Sequence, residues 1–166
     1  MKFILKMKHW QLFLLLFILP TIMGLLEFGF IYRTFIFVVG FMLWLVVTGF
    51  LLFDEIKLNA TRNKLIISFL SIIGLSNYFL NYILKDYKVI INNNYKIFFD
   101  FYNYLALAIF FVMIIIIANA LATVELKRNV KFNDYKKEII LLWLFPVGVW
   151  IIQPRINSIF KSSSTV

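Results

Sequence analysis

Between Trp10 and Phe53 only two charged residues, Glu27 and Arg33, interrupt an otherwise apolar stretch. A membrane-crossing helix needs about 20 mostly apolar residues to pass about 30 Å of hydrocarbon. At roughly 1.5 Å per helical residue the stretch is two crossings long, so the chain must reverse near Gly29 to Arg33. Backbone groups in lipid have no water to bond, so each crossing must satisfy them internally as helix. The expected first hairpin therefore pairs Trp10–Phe30 with Thr34–Phe53, and Asp54, Glu55 and Lys57 stop the second run.

Two further runs, Leu65–Leu84 and Tyr104–Ala122, repeat the pattern, with Asn92-Asn93-Asn94 as the turn or loop between them. Hydrophobic residues make up 63% of the 166 and charged residues 15%. A soluble domain holds about half and a quarter, so the excess marks a chain whose solvent is lipid. The fold class expected is all-α: an integral membrane helical bundle of four transmembrane helices plus a short fifth apolar segment. Residues 1–160 form one helical membrane domain and residues 161–166 a polar tail. A secretory signal peptide centred on Leu12–Leu19 is the rival reading of the N-terminus. Pro20-Thr21-Ile22-Met23-Gly24 is a poor cleavage pattern and the apolar run continues past it, which favours an anchor.

The fifth run, Ile139–Ile152, falls short of a normal span and contains Pro146 and Gly148. It reads as re-entrant or interfacial, or as a short fifth span. Pro146 is expected to disrupt it near its middle. Gln153 and Arg155 are expected to reach headgroups, and Pro154 to stop helical continuation.

Lysine and arginine near span ends mark the cytoplasmic side. Lys2, Lys6 and Lys8 at the start share a side with Lys57, Arg62 and Lys64, and with Lys127, Arg128, Lys131, Lys136 and Lys137. Arg33, Lys85, Lys88 and Lys96 lie opposite. The N-terminus is therefore expected in the cytoplasm. The net charge of +9, placed between apolar runs, points to anionic lipid headgroups and away from nucleic acid. Frequent Ile, Phe, Asn, Lys and Tyr resemble low-GC codon usage, which suggests a bacterial inner membrane.

Ionisable groups inside spans are costly and often functional. Glu27 has three readings: an outer-side pair with Arg33, a ligand or proton site, or simple exposure at the interface. Pro20, Gly24 and Glu27 share a helical face, and Pro20 should kink the helix. Asn77 and Asn81 are one turn apart, with Ser71, Gly74 and Tyr78 on the same broad face. They read as helix packing or as one wall of a polar pocket with Glu27. Asn119 and Ser68 lie at similar depth as plausible packing partners. His9 beside Trp10, and Tyr82, Tyr87, Tyr102 and Tyr104, read as interfacial anchors.

With no cysteine and one histidine, thiol chemistry and sites of several imidazoles are excluded. The chain holds no His-x-x-Glu-His, Gly-x-Ser-x-Gly or phosphate-loop pattern. No metal or cofactor is expected.

The stretch Trp143-Leu144-Phe145-Pro146-Val147-Gly148-Val149-Trp150-Ile151-Ile152-Gln153-Pro154-Arg155-Ile156-Asn157 resembles the ending of a group of small uncharacterised bacterial multi-pass membrane proteins. Val124-Glu125-Leu126, Phe132-x-Asp134-Tyr135 and Lys8-His9-Trp10-Gln11 are similar to that group's pattern. The resemblance implies membrane insertion and no particular activity. The expected role is a non-enzymatic accessory subunit or scaffold, alone as a homo-oligomer or with other membrane proteins. The alternatives are a small carrier or channel component, a bacteriocin-immunity-type protein and a lipid-acting enzyme.

Overall fold

The computed structural model describes the backbone of residues 8–25, 29–57, 59–86 and 93–162. Among them the regular elements are all helical. They are α1 (His9–Phe13), a π-helical turn (Leu14–Ile18), α2 (Leu19–Leu25), α3 (Gly29–Ile56), α4 (Ala60–Asp86), α5 (Asn93–Leu126), α6 (Phe132–Trp143) and α7 (Phe145–Ser162). Among the described residues three helical stretches are long and apolar enough to cross a membrane: Phe37–Ile56, Ala60–Leu80 and Asp100–Leu126. The N-terminal helix adds the shorter apolar stretch Trp10–Ile22. Asn93 and Asn94, expected in a turn, stand instead in the first turn of α5. Asparagine is favoured where a helix start leaves N–H groups free.

The π turn has a local cause. Pro20 offers no N–H to the Leu16 carbonyl four residues back, and its ring crowds that carbonyl. The backbone widens just before it, and Leu19 N–H bonds to the Leu14 carbonyl. Pro20 itself is buried.

Helix α3 is the centre of the bundle, packed against α2, α4 and α5. Its buried face carries Trp44, Leu45, Leu52 and Phe53. These meet Ile67 of α4 and Met113, Ile114, Ile117 and Leu121 of α5 in one continuous core. A Cβ on Gly74 would stand 3.1 Å from Met42 Cε, so that glycine lets α4 approach α3 closely. The outward faces remain apolar, with Leu65, Phe69 and Ile72 on α4 and Phe101, Tyr104 and Leu107 on α5 all exposed.

The fifth run is two helices rather than one. The break falls at Leu144, whose backbone (φ −81°, ψ 52°) leaves the helical region. Pro146 sits two residues later, in the first turn of α7, where a helix leaves N–H groups unpaired and proline is at home. Helix α6 runs along α5 until Trp143 stacks on Phe111, ring centres 4.3 Å apart. Phe145 then lies 4.0 Å from the Phe41 ring of α3. From there α7 folds back along α6, and Arg155 meets Glu138 midway along α6 and Glu125 near the end of α5. Gly148 makes so tight a hairpin feasible: a Cβ there would overlap the Leu141 carbonyl of α6.

Pro154 does not end α7, which continues to Ser162. The expected stop assumed an isolated helix, where an interior proline costs about 3 kcal/mol. Here Ile152, Gln153 and Ile156 on either side are buried, so packing holds the helix through the missing bond.

Candidate functional site

Two polar constellations join elements that the apolar surfaces alone would leave free to slide. The first lies deep between α3 and α7. Trp44 Nε1–H donates to Gln153 Oε1 at 3.0 Å, and Gln153 Nε2–H donates to Asn157 Oδ1 at 3.0 Å. Trp44 is 2% exposed and Gln153 1%, so neither has water as an alternative partner. Gln153, expected at the headgroups, is instead the polar key of the core. A buried amide without its bond would cost about 1–3 kcal/mol.

The second constellation is ionic. Arg155 Nε–H donates to Glu125 Oε1 at 2.8 Å, and its Nη2 bonds to Glu125 Oε2 and, at 2.8 Å, to Glu138 Oε1. The planar guanidinium fork suits this two-sided grip. The hydrogen bonds to Glu125, reinforced by that to Glu138, raise the guanidinium pKa above its ordinary value against the opposing effect of burial. Arg155 is charged at every ordinary pH, so the cluster keeps its cation throughout. Glu138 is buried, and its Oε2 has no hydrogen-bond partner. Arg155, also expected at the headgroups, is thereby committed to tying α5, α6 and α7 together.

The ionic cluster borders a polar cleft of about 920 Å³ at the same end of the bundle. Its walls are Glu55 and Ile56 at the end of α3, Thr123 and Glu125 at the end of α5, Lys127 in the link that follows, and Ser158 of α7. The two helix ends share a pattern. Glu55-Ile56-Lys57-Leu58-Asn59 closes α3, and Glu125-Leu126-Lys127-Arg128-Asn129 closes α5. Both lysines adopt a left-handed backbone, with φ 62° at Lys57 and 51° at Lys127. That conformation turns the chain at the helix C-terminus, where a cation also suits the helix dipole. Outside the cleft Lys64 pairs with Asp54, and on its wall Arg128 pairs with Asp134 at 3.1 Å. Asp134 Oδ2 also accepts the Lys131 backbone N–H at 2.9 Å. That bond first, and Arg128 second, hold the Asp134 carboxyl below its ordinary pKa.

The residues singled out from sequence fall in several places. Asn77 Nδ2–H donates to the Tyr102 carbonyl and to Asn103 Oδ1, both at 3.2 Å, and so stitches α4 to α5. One turn of that seam is extended by Ser76, whose own proton goes to the Ile73 carbonyl. Tyr102 is therefore the donor in the 2.9 Å bond between the two hydroxyls. Ser68 donates to the Lys64 carbonyl of its own helix, at 2.9 Å. Asn119 lines an adjoining groove of about 420 Å³ with Asn63, Thr123 and Tyr135, and its carbonyl takes the Thr123 hydroxyl at 2.8 Å. Glu27 lies outside the described residues, as do the side chains of Arg33 and Asn81 and the surroundings of Gly24. Among the described residues no cluster of three metal-ligating His, Cys, Asp or Glu side chains occurs. Comparison with family models, curated proteins and solved structures returns no match.

Proposed function

We propose that the chain is an integral membrane protein of four spans, held in a bacterial inner membrane with its N-terminus in the cytoplasm. In this reading the α6–α7 hairpin enters the cytoplasmic leaflet and returns, and the protein acts as an accessory subunit or scaffold. The observation that carries it is the fate of the polar groups inside the apolar body. Trp44 bonds to Gln153 and Asn77 to Asn103 across helices, and Asn157 takes the remaining Gln153 amide proton within α7. Such bonds position helices in lipid, where apolar contact alone gives little preference for one neighbour over another. The exposed tip and flank of the hairpin, Leu144, Val147, Trp150 and Ile151, are apolar, which suits a segment that dips into hydrocarbon without crossing it.

A C-terminal reporter tests the topology. Fluorescence from a fused green fluorescent protein is the expected result, and activity from a fused alkaline phosphatase means a fifth crossing. Purification in mild detergent tests the role, with a stoichiometric partner or a homo-oligomer as the expected result. The cleft favours a second reading, a small carrier. Stabilisation of the isolated chain by a water-soluble solute, with no partner recovered, would replace the scaffold by that one.

A further inference from the structure

We infer that the cleft between the two Glu-x-Lys-x-Asn helix ends holds the headgroup of a zwitterionic phospholipid of the phosphoethanolamine type. The inference rests on the membrane-embedded reading above. It starts from which polar groups in the cleft are already committed. Both oxygens of Glu125 are taken by Arg155, and Arg128 is paired with Asp134. The hydroxyl protons of Thr123 and Ser158 go to the carbonyls of Asn119 and Arg155. Two ionic side chains on the cleft wall are left without an ion pair among the described residues: Glu55 and Lys127.

They are of opposite sign and stand on different helix ends, too far apart to pair with each other. A lysine alone would accept any phosphate. A carboxylate facing the same space repels a purely anionic headgroup and attracts an ammonium. The complement to both is one group carrying a phosphate and an ammonium a few bonds apart. The lone pairs of Thr123 and Ser158, whose protons point elsewhere, give the ammonium two further acceptors. Ile56, Val124 and Ile159 on the cleft wall, with the 48% exposed Leu126 beside Lys127 in the chain, offer the acyl chains an apolar exit.

The test uses the full chain in detergent micelles doped with dioleoyl phosphatidylethanolamine or dioleoyl phosphatidylglycerol, read by thermal unfolding and native mass spectrometry. The ethanolamine lipid should bind about tenfold tighter, the worth of one added charge-assisted contact. Glu55→Gln should abolish the preference, and Lys127→Gln should weaken both lipids. Both positions are exposed, and unfolding in undoped detergent checks that the variants still fold. Equal or tighter binding of the glycerol lipid, or unchanged preference in Glu55→Gln, overturns the assignment. Full competition by soluble phosphoethanolamine overturns the lipid as its source. Recovery of the chain in the alkali-soluble fraction of cells overturns the membrane reading itself. Loss of preference in an alkali-resistant chain overturns the headgroup site alone.

Discussion

The ends of α3 and α5 begin from nearly the same five residues and reach different outcomes. Each closes with glutamate, a branched aliphatic residue and a left-handed lysine, so the local backbone follows the local sequence. Their surroundings then diverge. After Lys57 the chain passes almost at once into α4, and Glu55 stays exposed. After Lys127 it turns into α6 and α7, which fold back so that Arg155 captures Glu125. A short motif can thus set where a helix stops, while its tertiary cover decides whether the same carboxylate is a structural tie or an open group. Exposed pairs such as Lys64–Asp54 contribute little, whereas removing Arg155 strands the charge of buried Glu138.

The largest expected effect comes from removing the cover. Gly148→Ala places a methyl group on the Leu141 carbonyl and should cost about 3 kcal/mol or more, because backbone and not a flexible side chain must move. Hydrogen exchange should rise through α6 and α7 while the end of α3 is unchanged. Equal acceleration at both ends would break the comparison.

Arg155→Met should cost roughly 3 kcal/mol, since Glu138 is then buried without its cation. Lys64→Met at the other end should cost at most about 1 kcal/mol. Thermal unfolding of the two variants side by side sharpens the contrast, and equal losses would remove it. Trp44→Phe leaves Gln153 Oε1 without its donor and should cost about 1–2 kcal/mol. Adding Gln153→Met to Trp44→Phe should cost less than Gln153→Met alone. Additive losses would mean the bond adds nothing to packing.

The smallest effect is that of pH at the start of α6. The Asp134 carboxyl has a lowered folded-state pKa, so its contribution is present above the unfolded value of about 3.9 and is lost as pH falls through the folded value. Amide exchange at Asp134 and its neighbours should therefore rise on acidification below about pH 4. Asp134→Asn should flatten that dependence, and an unaltered profile would assign it to another group.

Hydropathy alone made the apolar helices legible, because a helix in lipid must announce itself by length and composition. The Asn77 face was also visible, since helical spacing gathers it without any knowledge of the partner helix. The ionic tie was not. Glu125, Glu138 and Arg155 come from three helices, and each reads singly as a flanking charge. Gln153 and Arg155 follow an apolar run, so hydropathy assigned them to headgroups; only the fold-back of α7 turns them inward. The hairpin break carried no mark of its own either. Leu144 is an ordinary helix former, and the nearby Pro146 and Gly148 drew attention to the positions beside it.

The returning hairpin also sets an order of assembly. Trp44 is synthesised long before Gln153, and the α3 surface that Phe145 and Ile152 cover exists well before they do. Until those residues are made that surface is uncovered, and the indole N–H lacks its Gln153 acceptor. Because α6 and α7 start and finish at the same end of the bundle, the charges between Lys127 and Arg155 stay at that end while the core closes. The final step of folding is then a docking event, and the tight turn that permits it is also where its speed can be changed.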